Sequence, residues 1–122
     1  MTTKNLRLGR IGEDYAVDYL INRDYEILAR NFSCRWGEID LIAKKNDKII
    51  FFEVKTRSSS SYGAPYEAIN YYKLTSLRRS INFYLLKNNL KKFKLSLKII
   101  SIYVDDNNHP VELKIYDGPD WR

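Results

Sequence analysis

Two periods of apolar residues run along this chain, and elements begin and end where one gives way to the other. From Leu6 to Asn22 the spacing is helical. Leu8, Gly12, Tyr15, Ala16, Tyr19 and Leu20 gather on one side, and Arg7, Arg10, Asp14 and Asp18 on a solvated other. Thr3 or Asn5 can cap this helix, and Gly9 and Gly12 let it approach a sheet closely. Residues 25 to 33, YEILARNFS, read as a strand. Residues 37 to 57, GEIDLIAKKNDKIIFFEVKTR, read as two more, with a period of two on either side of an Asn46-Asp47 turn. A second helix is predicted over residues 66 to 89, opened by Pro65, with Ile69, Leu74, Leu77, Ile81, Tyr84 and Leu85 as its apolar side. In residues 93 to 104, Phe93, Leu95, Leu97 and Ile99 alternate before Ile100, Ile102 and Val104 take over the phase, which predicts a bulge or bend. After a turn at Asp105 to His109, Val111, Leu113 and Ile115 define an antiparallel edge strand. Asp117-Gly118-Pro119 ends it, and the tail to Arg122 is expected to fray. The pattern predicts one α/β domain, a mixed sheet flanked by helices in the order α-β-β-β-α-β-β.

Composition adds bounds. The chain has 122 residues, the size of a single domain. Cys34 is its only cysteine, which excludes an intramolecular disulfide and argues against a cysteine-based zinc site. His109, the only histidine, sits in a polar turn. The N-terminal MTTKNLRLGR lacks the apolar run of a signal peptide, and Ile49 to Phe52 and Phe83 to Leu86 are too short to span a membrane, so a cytoplasmic protein is expected. The net charge of +6 favours a polyanionic partner. The tyrosines recur at or beside core spacing and are read as packing, Tyr62 excepted.

The chemistry concentrates in the hairpin. Glu38, Asp40 and Ile42 share one strand face, with Ile39, Leu41 and Ala43 on the other; Ile49, Phe51, Glu53 and Lys55 share a face in the second strand. Folded about Asn46-Asp47, the hairpin sets Asp40 across from Glu53 and Glu38 across from Lys55. Opposed Cβ atoms lie ~5 Å apart, where two carboxylates repel by roughly 3 kcal/mol at an effective dielectric near 20. A divalent cation would turn that repulsion into attraction, with Lys55 alongside to stabilise charge on a phosphate. The alternative is a surface hairpin with a charged face; Ile42 and Phe51, on the same face as the acids, argue against it. Glu13 leans inward from the first helix, either as a salt-bridge partner of Arg10 or Arg23 or as a third acid. Lys73 lies within the apolar arc of the second helix and needs an anion, from protein or from phosphate. Arg57, Arg78 and Arg79 are either phosphate contacts or solvated positions. Trp36 either packs at a strand entrance or stacks on a base, and Tyr62 in the loop SSSSYGAPY is a candidate for base stacking.

Gly9-x-x-Gly12-Glu13, then Gly37-Glu38-Ile39-Asp40-Leu41-Ile42, then Glu53-Val54-Lys55-Thr56-Arg57 resembles the YraN family of predicted endonucleases, a branch of the PD-(D/E)xK nucleases related to archaeal Holliday junction resolvases. The resemblance runs from Gly9 through Tyr62-Gly63 and from Ala68 to Lys73. It implies a restriction-endonuclease-like core in which Asp40 and Glu53 bind Mg²⁺ or Mn²⁺ with help from the Val54 carbonyl. Lys55 would orient the attacking water or stabilise the transition state, and Glu13 would match the helical acid of the resolvase-like branch. Glu38 belongs to the motif. The late strand departs from it, with Ser96-Leu97-Lys98-Ile99-Ile100 where relatives carry Arg-Phe-Asp-Val-Val. The expected activity is metal-dependent hydrolysis of DNA phosphodiesters, with branched DNA as one candidate substrate. A resolvase-like task would favour a twofold dimer. A non-catalytic nucleic-acid-binding module and a protein-interaction subunit that docks through the long helix stand as alternatives.

Overall fold

The computed structural model describes residues 3–58, 69–90 and 92–121, with side chains described from Leu6 onward. Helix α1 (Thr3–Ile21) leads into strands β1 (Glu26–Cys34), β2 (Gly37–Lys45) and β3 (Lys48–Ser58). Helix α2 (Tyr71–Asn88) and strands β4 (Lys94–Val104) and β5 (Pro110–Asp117) complete the chain. The five strands form one sheet in the order β1-β2-β3-β4-β5. Short connections make β1–β2, β2–β3 and β4–β5 antiparallel, whereas β4 returns through α2 and pairs parallel to β3. The two helices cover opposite faces. Leu77, Ile81 and Leu85 of α2 pack with Ile42, Ile49, Phe51, Leu97 and Ile99, while Ala16, Val17 and Leu20 of α1 pack with Leu41, Ala43, Ile50, Phe52, Ile100 and Ile102. This is the expected mixed α/β sandwich in the expected element order.

The central strands are buried on both sides, which is why β3 reads as a nearly continuous apolar run. That burial also explains the change of phase in β4, which is not a bulge there. The β3–β4 ladder runs from Lys48↔Lys94 to Ser58↔Val104 without a shift. Leu97 and Ile99 face α2, and Ile100, Ile102 and Val104 face α1, so only the covering layer changes along the strand.

Other boundaries move for local reasons. Helix α1 starts at Thr3, with Asn5 inside it. Helix α2 starts at Tyr71 because Asn70 caps it, its side chain accepting from the Lys73 N–H at 2.8 Å. Pro65 and Tyr62 lie outside the described residues. The tail is packed as far as Trp121, which is buried edge-on to Phe51 and accepts from Arg78 at its carbonyl. A single tryptophan beyond Pro119 has no periodicity to betray it.

Gly12 fixes how closely α1 lies on β3. A Cβ there would come within 2.8 Å of Thr56 Cβ and Cγ2, whereas one on Gly9 meets nothing within 4 Å. Gly12→Ala should therefore cost roughly 1–3 kcal/mol through overpacking, seen as a melting temperature lower by several degrees. Gly9→Ala should be neutral or stabilising by up to ~1 kcal/mol.

Candidate functional site

The hairpin turns at Asn46, whose φ of 57° is the left-handed conformation that asparagine tolerates. Its register is the expected one from Lys45↔Lys48 to Leu41↔Phe52, and there the ladder stops. Asp40 and Glu53 are therefore next to the last rung and not a rung themselves, and Glu38 and Lys55 lie beyond it. On the other side, β1 and β2 pair at Arg30↔Leu41 and Phe32↔Ile39 but skip Asn31 and Asp40. Asn31 has φ 50°. Across this skipped pair the alternation of faces switches: Ile39 packs in the α2 core although Leu41 packs in the α1 core. Simple alternation had placed Ile39 with Leu41.

The switch carries Asp40 into the gap where β2 and β3 part. Its Oδ2 accepts from the Val54 N–H at 2.8 Å. In a strand the N–H and C=O of one residue leave on the same side, so the Val54 carbonyl faces that gap as well. Glu53 follows Phe51 on the α2 face, aligned with Ile99, and is only 8% exposed. Lys73 Nζ lies 3.2 Å from its Oε1, while its Oε2 is buried without a hydrogen-bond partner among the described residues. Burial is the main cause that pushes the Glu53 carboxyl up to about 7, and the Asp40 charge adds to it against Lys73 and Lys55. Burial likewise raises Asp40; the Val54 N–H and Lys73 oppose the rise, and Glu38 and Glu13 reinforce it.

The two acids open into a cleft of about 730 Å³ between the start of α1 and the ends of β2 and β3, lined also by Glu13, Arg30, Asn31, Glu38 and Lys55. Glu13 pairs with neither Arg10 nor Arg23. Arg30 Nε and Asn31 Nδ2 donate to its Oε1 at 3.0 and 2.9 Å, and Arg30 also reaches Asp14 at 2.6 Å. Arg30 and Asn31 were not singled out in the sequence, and Asn31 in particular offered no signal without its backbone angle. Lys73, read as wanting an anion, finds Glu53. Arg57 is half-buried near the end of β3, opposite Tyr103. The remaining basic candidates point elsewhere. Arg78 holds the C-terminal tail, and Arg79 lies 5.0 Å from the Trp36 ring centroid. Each occupies the turn of α2 that faces its partner, so neither borders the acids. Cys34 meets Ser80 on α2 and His109 meets Asp105 in the β4–β5 turn, so the two are unconnected.

Among the described residues, no three His, Cys, Asp or Glu side chains are grouped to hold a metal ion. A carboxylate pair nevertheless fits Mg²⁺, which takes one or two carboxylates and keeps several waters. The orphaned Oε2 of Glu53 is the donor such an ion would use.

Fold and site together define an α/β protein with a buried acid, Glu53, beside a half-buried one, Asp40, at the open end of its central hairpin. The chain belongs to the Uncharacterised protein family UPF0102, whose model matches residues 12–102, a stretch that includes Glu13, Asp40, Glu53, Lys55 and Lys73. It is 40% identical over 115 residues to a UPF0102 protein of Clostridium tetani, covering 94% of each chain. It is 43% identical over 109 residues to one of Alkaliphilus oremlandii, covering 88% of this chain and 93% of the relative. A UPF0102 protein of Persephonella marina is 43% identical over 106 residues, covering 87% and 89%. Family membership agrees with the motif resemblance, and these names specify no activity. No helix of the described residues is long and apolar enough to cross a membrane.

Because Glu53 holds its proton more tightly folded than unfolded, folding is favoured at low pH and that advantage disappears as pH rises from about 4.5 to about 7. In metal-free buffer, the stability of the wild type relative to Glu53→Gln should fall by as much as roughly 3 kcal/mol across that window and then level off. Denaturant titrations at stepped pH measure it, and parallel curves for the two proteins would rule out a buried, raised carboxyl.

Proposed function

We propose that this protein is a metal-dependent endonuclease that hydrolyses backbone phosphodiesters of DNA, branched forms included. The observation that carries the reading is Glu53: a buried carboxylate, raised to about 7, with one oxygen lacking a partner among the described residues, beside the half-buried Asp40. Such a group costs stability and makes sense where a cation completes it. Asp40 and Glu53 would hold Mg²⁺ or Mn²⁺, with the Val54 carbonyl as a third donor. A bound dication supplies a polarised phosphate and a more acidic water.

The chain's own groups do the rest. The Val54 N–H fixes the Asp40 carboxylate, and Glu53 gives up its proton as the site is occupied. Lys55, exposed at the cleft, orients the attacking water or neutralises charge on the phosphate oxygens. Water oxygen attacks phosphorus, one ester P–O bond breaks, and the proton the water loses is matched by one gained by the leaving oxygen. Glu13, held by Arg30 and Asn31, walls the outer side. Arg57, farther along the same strand face, would meet the entering backbone.

One contact favours a second reading. Lys73 places an ammonium on Glu53 Oε1, and a lysine that permanently replaces the metal would leave a non-catalytic nucleic-acid-binding module. Metal dependence separates the two. For the enzyme, Mg²⁺ should raise the melting temperature, and Asp40→Asn should abolish that rise. Labelled duplex, flap and four-way DNA should be cut with Mg²⁺ or Mn²⁺, and Asp40→Asn and Glu53→Gln should lower the rate at least about 100-fold. Intact DNA in every lane, with the protein folded, would overturn the proposal.

A further inference from the structure

The core is complete without two of its neighbours. Tyr71 and Tyr72, which sequence spacing would count as packing, are 77% and 82% exposed at the start of α2, with ring centroids 5.7 Å apart and edge to face. The next residue is Lys73, on Glu53. Helical spacing sets Tyr72, Ser76 and Arg79 along one face of α2. Ser76 donates to the Trp36 carbonyl, and Arg79 and Arg35 lie 5.0 and 4.5 Å from the centroid of the Trp36 ring. Aromatic rings and guanidinium groups thus run from the acid pair to the β1–β2 turn, and the first turn of α2 contains no acid.

We propose that Tyr71, Tyr72 and the Arg79–Trp36–Arg35 stack form a platform for an unpaired DNA strand, delivering a single-stranded segment to the Glu53–Lys73 end of the site. The proposal rests on the DNA reading above and narrows its substrate to DNA with unpaired bases. Exposed aromatics stack on any base, and arginines held against a ring still present N–H groups to phosphate. In a duplex each base face is already covered by its neighbour, so a duplex gains nothing from the tyrosines. The interleaved arginines and the net charge of +6 favour a polyanion over an apolar protein partner.

The test is fluorescence anisotropy in EDTA, which removes cleavage from the measurement, with a labelled single strand, the matched duplex and the same strand as RNA. The wild type should bind the single DNA strand about tenfold more tightly than the duplex. Tyr71→Ala with Tyr72→Ala should lose about that factor on the single strand and nothing on the duplex, with an unchanged melting temperature. Tyr71→Phe with Tyr72→Phe should retain binding, because the ring is what matters. The platform is overturned by single-strand affinity that ignores the alanines, by a preference for duplex, or by tighter binding of the RNA. Cleavage with tyrosine-independent binding would sink the platform alone. Tyrosine-dependent binding with no cleavage under any metal would sink the nuclease and leave the platform standing.

Discussion

One hydrogen bond organises the open end of this sheet: the Val54 N–H to the Asp40 carboxylate. Where β2 and β3 part, a central strand loses its ladder partner, and an unpaired buried N–H costs about 1–3 kcal/mol. A carboxylate is a better acceptor than the carbonyl it replaces, and the bond offsets part of the cost of burying Asp40. The same contact holds the two strands apart without letting them fray. It thereby makes the gap into which Glu53, Lys55 and the Val54 carbonyl are directed.

Within the wider acidic lining of the cleft, the nearest charges are unequal in strength. Asp40 and Glu53 face Lys55 and Lys73. Lys73 is substantially exposed, so its ion pair with Glu53 is screened and worth ~0–1 kcal/mol. Desolvation of Glu53 is the larger effect, since it raises the carboxyl to about 7 in spite of both lysines. The lysine is thus a weak occupant that a better cation can displace, and Oε2 has no occupant at all among the described residues.

How much of this was legible in the chain depends on the kind of signal. The hairpin register followed from the tight turn at Asn46-Asp47, which fixes the residues that face each other from Lys45↔Lys48 to Leu41↔Phe52. The element order followed from the change of period. The left-handed Asn31 was illegible, since it resides in one backbone angle, and so was the switch of faces that puts Ile39 in the other core from Leu41. The β4 phase change was misread for a related reason: alternation reports which face is covered and is silent on whether a strand bends. The basic character of Arg78 and Arg79 was legible and their engagement within the fold was not, because Trp121 and Trp36 come from distant stretches of chain. Tyr71 and Tyr72 read as packing because they lie close in sequence to the core positions Ile69 and Leu74.

Those observations bear on which part of the hairpin determines the other. The seven apolar residues around its turn are all buried, and burying each contributes roughly 1.5–3 kcal/mol for the larger side chains. Repulsion between two acids is several-fold smaller than that sum. The apolar half therefore holds the pairing that the Asn46 turn sets, and the acids go where it puts them, beside a gap bridged by Asp40 itself. Nothing in the packing requires carboxylates there, since amides of the same shape would fill the same space without the repulsion. On the proposed reading, an apolar clamp that brings two acids together, with one oxygen unpartnered among the described residues, would be the arrangement a cation site needs in advance of its ion.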